Sequence, residues 1–94
     1  MPGGLYVDGP RSQPHYVVSM TNNVGRLSFV YQNGRTAQAG SFTASVSSGR
    51  LSAHFSGGQV LTGTVGTGTF ALSGCQAVLK FAIQPHSCTF TRQA

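Results

Sequence analysis

The side chains able to do chemistry in this chain are few. Its 94 residues hold two cysteines, Cys75 and Cys88, three histidines, His15, His54 and His86, and a single acid, Asp8. One carboxylate cannot supply the paired acid and base of carboxylate-driven hydrolysis. A serine triad needs an acid to orient its histidine, and the only one available sits directly before Gly9-Pro10. Cys88 and His86 are too close in sequence to form a nucleophile–base dyad. The histidine and cysteine spacings fit no zinc finger or ribbon. Gly63, Gly66 and Gly68 form a glycine-rich tract, but without the lysine and strand-to-helix context of a phosphate loop. The expectation is a non-catalytic protein with neither cofactor nor metal.

The cysteines have a second use. A disulfide between Cys75 and Cys88 closes a short loop and would stabilise the fold by about 3 kcal/mol in the chain-entropy model. It would also place the protein in an oxidising compartment, extracellular or cell envelope. A simple hairpin across residues 84–87 argues the other way. With Ile83 opposite Cys88, Cys75 lies eight residues further along its strand, about 26 Å away and beyond bridging distance. A bridge therefore requires segment 75–83 to bend. The small size of the chain, which leaves little core to stabilise it, tips the expectation towards the disulfide.

Net charge is +5, from Arg11, Arg26, Arg35, Arg50, Lys80 and Arg92 against Asp8. No two basic residues are adjacent, whereas nucleic-acid binders concentrate charge in a patch or stripe, so nucleic acid is not the expected partner. The charged fraction of 7% is far below the ordinary ~25%. Ser, Thr and Gly supply the polar surface instead, a habit of secreted, envelope and virion β-proteins. No apolar run is long enough for a transmembrane helix. Met1-Pro2-Gly3-Gly4 lacks the features of a signal peptide, so an exported protein is expected here as a mature form or as a domain of something larger.

The elements that position these residues are strands. Gly25-Arg26-Leu27-Ser28 and Gly49-Arg50-Leu51-Ser52 repeat at an offset of 24 residues and both run on to glycine, at Gly34 and Gly58. That is the length of one hairpin with its turns. Short alternating segments separated by turn residues cover the chain: 5–7, 15–21, 26–32, 35–46, 51–55, 60–65, 69–72, 76–83 and 88–92. Asn33-Gly34 is the strongest type I′ turn signal, and Ala39-Gly40 is a candidate bulge. Across the turn Ser47-Ser48-Gly49-Arg50, Val46 opposite Leu51 sets Ala44 opposite Ala53 and Phe42 opposite Phe55, three pairs on one buried face. Eight or nine such strands in one domain spanning 1–94 predict an all-β antiparallel meander, closed or nearly closed as a β-barrel, with a two-sheet sandwich as the alternative.

This rhythm, with ends such as Leu61-Thr62-Gly63-Thr64, resembles the small meander barrels of lipocalin-like, avidin-like and bacterial lipoprotein type. The resemblance implies architecture alone. A Gly-x-Trp motif is impossible in a chain without Trp, and no site residues carry over.

The expected function is therefore binding, by a small exported or surface-associated barrel. An apolar small ligand would be lined by Tyr16, Phe29, Tyr31, Phe42, Phe55 and Phe81. A macromolecular partner would be met through Arg26 and Arg50, which hold equivalent places in the repeat. The rival readings are a structural or self-assembling module, such as an envelope or virion component forming a homo-oligomer, and an inhibitor of a secreted enzyme acting through loops 9–14 or 84–87.

Overall fold

Eight antiparallel strands in sequence order close on themselves as a β-barrel: β1 (Gly4–Asp8), β2 (His15–Thr21), β3 (Val24–Val30), β4 (Thr36–Ser47), β5 (Arg50–Phe55), β6 (Val60–Gly66), β7 (Thr69–Leu72) and β8 (Thr89–Arg92). The computed structural model describes residues 2–8, 14–74 and 88–93, and no helix occurs among them. β8 completes the circuit on β1, with Tyr6 opposite Arg92 and Val7 opposite Thr91. The sandwich alternative is thereby set aside. The expected strand 76–83, with Phe81, lies outside the described residues.

Alternation builds the core. Tyr16, Val18 and Met20 of β2, Leu27 and Phe29 of β3, Phe42 and Ala44 of β4, and Leu51, Ala53 and Phe55 of β5 are all buried at every second position. The register of β4 on β5 is the expected one: Phe42 faces Phe55, Ala44 faces Ala53 and Val46 faces Leu51. The bulge also falls where glycine allows it. The β3–β4 register shifts between Leu27 and Ser28, which pair with Gly40 and Gln38 and leave Ala39 as the extra residue.

The turns divide differently from expectation. Asn33 is not among the left-handed residues, so Asn33-Gly34 is not a type I′ turn. Instead Tyr31 N–H donates to the Arg35 carbonyl and Gly34 N–H to the Tyr31 carbonyl, with Gly34 alone at φ 88°. This is a three-residue loop ending in a glycine bulge. The second repeat builds the same loop, with Phe55 N–H to the Gln59 carbonyl, Gly58 N–H to the Phe55 carbonyl and Gly58 at φ 96°. Left-handed pairs occur at Asn22-Asn23 (φ 51° and 65°) and Ser48-Gly49 (φ 51° and 78°), each joining strands through two residues. Val24 and Gly25, outside the expected strand 26–32, belong to β3.

The two ends of the barrel therefore differ. One carries three two-residue turns, Asn22-Asn23, Ser48-Gly49 and Thr67-Gly68, together with the described termini. The other carries every longer connection: β1–β2, β3–β4, β5–β6 and β7–β8. We call these the tight end and the loop end.

Candidate binding surface

Of the residues expected to line a ligand cavity, Tyr16, Phe29, Phe42 and Phe55 are buried, and they pack on one another. The Tyr16 and Phe29 rings meet edge to face at 5.2 Å, and Phe42 and Phe55 lie 5.1 Å apart. Tyr6, Phe70 and Phe90 extend the aromatic core, with Phe70 stacked on Phe90 at 4.9 Å. Phe42 lies over Gly25, where the absence of a side chain makes room for its ring. Aromatic pairs at these distances stabilise the interior beyond their buried area. Eight strands enclose a space that side chains can fill.

Tyr31 departs from the expected inward position. β3 ends at Val30, so Tyr31 stands past the rim, 41% exposed, with its ring edge-on to Phe29 at 4.9 Å. Beside it Asn33, Arg35, Thr36 and Ala37 line a shallow groove, and Asn33 Oδ1 accepts a hydrogen bond from Arg35 N–H at 3.0 Å. Sequence reasoning passed over Arg35. The signal that would have found it is its place directly after the Asn33-Gly34 turn, where a side chain projects from a hairpin tip.

Arg26 and Arg50 are both exposed, but they do not form a patch. Arg26 faces Ser41 and Arg50 faces Ser47, six residues apart along β4, or about 20 Å. Arg26 borders a groove with Gln38, Gly40, Ser41 and Ser56. Arg50 borders another with Ser52, Thr62, Thr64 and Ser73. Among the described residues every exposed charge belongs to an arginine: Arg26, Arg35, Arg50 and Arg92. The one acid, Asp8, is 1% exposed at the loop end of β1, opposite Tyr16 and near buried His15. Alternation from Tyr6 signalled its burial.

His54 is exposed on β5, and among the described residues no three histidine, cysteine or acidic side chains come together. His86, Cys75 and most of loops 9–14 and 84–87 lie outside the described residues. Cys88 is 4% exposed, at φ 58°, and no free cysteine occurs among the described residues. Its carbonyl accepts the Leu72 N–H at 3.0 Å, and the described partners of β8 are β7 and β1. Ile83, opposite Cys88 in the simple hairpin considered above, lies outside the described residues. Comparison with known proteins finds no matching family model, no similar curated protein and no similar solved structure.

Proposed function

We propose that this protein acts by binding a macromolecular partner through the loop end of the barrel, without catalysis. The observation that carries the reading is the asymmetry of the two ends. Three connections at the tight end are as short as hairpins allow, whereas the loop end holds the longer ones and the exposed Tyr31 beside Arg35. Tyr and Arg are the residues on which binding energy most often concentrates. The mutual packing of Tyr16, Phe29, Phe42 and Phe55 favours this reading over an apolar ligand held inside.

An extracellular or envelope location goes with it. Cys75 is three residues beyond Leu72, which is hydrogen-bonded to Cys88, so the chain between them spans at most about 11 Å. Pairing of β8 with β7 thus removes the geometric objection to a Cys75–Cys88 bridge, and the Ser- and Thr-rich outer wall fits an extracellular setting.

The test is retention of partners by the immobilised protein against a Tyr31→Ala, Arg35→Ala double variant of equal thermal stability. A partner held by the parent and lost by the variant supports the reading. One held equally by both overturns it, as does a stoichiometric small molecule released from the parent in native mass spectrometry.

A further inference from the structure

Among the described residues, closure of the barrel leaves part of one strand with a neighbour on one side alone. β4 pairs with β3 along Thr36–Thr43, but β5 reaches only to Phe55, opposite Phe42. One more bond, from Ser56 N–H to the Ser41 carbonyl, ends the contact. The stretch Thr36–Gly40 therefore has β3 on one side and, among the described residues, no strand on the other. Tyr31 and Arg35 are a hydrogen-bonded pair, so alternation makes Phe29 and Ala37 the next one. The backbone N–H and C=O of Thr36 and Gln38 consequently point away from β3, towards the side on which no described strand lies. Both residues are exposed.

Such an edge is a template for another strand. Two grooves flank this one: Tyr31, Asn33 and Arg35 border it at the hairpin tip, and Arg26 with Ser41 and Ser56 at its base. Side chains along it are small or neutral, namely Thr36, Ala37, Gln38, Ala39 and Gly40. An incoming strand would meet an arginine at each end and no exposed acid among the described residues.

We propose that the free edge of β4, Thr36–Gly40, receives an extended peptide segment of a partner by β-strand addition, with acidic side chains at the two ends of that segment. Backbone pairing supplies the affinity, and Arg26 and Arg35 select for the acids. The inference rests on the loop-end reading above and names its mode. A second copy of this chain fits less well. Its own edge is just as free of acids, and two molecules of net charge +5 repel.

The probe is a fluorescein-labelled seven-residue peptide of alternating Val and Thr with Asp and Glu at its ends, titrated into the full chain by fluorescence anisotropy. Binding is expected, with the Thr36 and Gln38 amides becoming protected from hydrogen exchange. N-methylation of alternate peptide nitrogens removes the pairing and should weaken binding at least tenfold. Gln38→Pro deletes an N–H that β3 does not use, so the barrel should still melt cooperatively while affinity falls about tenfold. Replacing the terminal acids by Lys should weaken binding by a similar factor. The proposal is overturned if the N-methylated or Lys-ended peptide binds as well as the parent, or if Gln38→Pro leaves affinity unchanged. A dimer that protects the Gln38 amide without peptide would also overturn it. Loss of partner retention in the Tyr31, Arg35 variant combined with unchanged affinity in Gln38→Pro overturns the edge alone and leaves the loop-end reading standing.

Discussion

Replacing Gly25 by Ala sets two opposing effects against each other, and the structure decides between them. Gly25 has no positive φ, so alanine fits its backbone. In the unfolded chain the change removes conformational freedom and by itself stabilises by about 0.4–1 kcal/mol. In the folded chain a Cβ at Gly25 would lie 2.6 and 2.8 Å from Phe42 Cε1 and Cε2, with Cζ nearer still. The ring must shift, and Phe55 on the adjoining strand, 5.1 Å away, resists that shift. Overpacking of this kind costs about 1–3 kcal/mol. The net expectation is a loss of about 1–2 kcal/mol, or a Tm lower by roughly 5–15 °C in a domain of this size.

Urea unfolding followed by far-UV circular dichroism measures the loss, with an unchanged slope indicating that only stability has moved. The decisive variant is Gly25→Ala combined with Phe42→Leu, which removes the ring that the new methyl strikes. The double change should be milder than the sum of the singles by about 1 kcal/mol or more. Additivity within about 0.5 kcal/mol, or a stabilised Gly25→Ala protein, would refute the reasoning. Gly63→Ala is the contrast: its Cβ would strike the Ala71 carbonyl, which is backbone. No side-chain change should rescue it.

Gly34→Ala and Gly58→Ala should each cost about 1–2 kcal/mol in the same assay, because both repeats close with a left-handed residue. A large effect at one and none at the other would break the equivalence of the two loops. Ser48 holds φ 51° in a two-residue turn, so Ser48→Asn should raise Tm by a few degrees while Ser48→Val lowers it. For the cysteines, alkylation of the denatured chain without reductant should add no mass, and Cys75→Ser should cost about 3 kcal/mol; two alkyl groups in the first experiment would rule out the bridge.

Most of the barrel was legible in the sequence because one face of each strand is buried, and period-two burial leaves its mark on the order of residues. β5 and its register on β4 followed from Phe42, Ala44 and Val46 facing Phe55, Ala53 and Leu51. Local turn geometry was less legible. Asn33-Gly34 reads as a two-residue turn, yet it is Ser48-Gly49 that forms one. The difference lies in how many residues the flanking strands pair before the turn, which is a tertiary fact. The surface was least legible. Alternation says that Tyr31 shares a parity with Phe29, but not that β3 stops one residue short of it. Val46 shares the parity of Ala44 and is 42% exposed, because β4 runs on past Val24, its last neighbour's first residue, which faces Thr43.

One mismatch between sequence and sheet accounts for both the separated arginines and the free edge. The repeat advances 24 residues from β3 to β5, whereas the register demands 30, since Val24 faces Thr43 and Thr43 faces His54. Equivalent residues are therefore displaced by six positions along the sheet. Part of that is the ordinary stagger of a tilted barrel. Followed once around, the register returns to β3 about ten residues displaced, which spread evenly is about 2.5 residues for every two strands. The remainder, about 3.5 residues, lifts the β3–β4 turn beyond the β5–β6 turn at the loop end. Arg26 and Arg50 are carried apart by the same displacement, and Thr36–Gly40 is carried past the end of β5. A deletion of two residues from each strand at the tip of the β3–β4 hairpin, Val30-Tyr31 with Arg35-Thr36, would shorten the projection and remove much of the exposed edge. It should leave the core pairs Phe42–Phe55 and Ala44–Ala53 in register, and with them a cooperative melt. If that shortened chain still bound the acid-ended peptide with the parent's affinity, the displacement would be a consequence of the repeat and not the basis of a binding site.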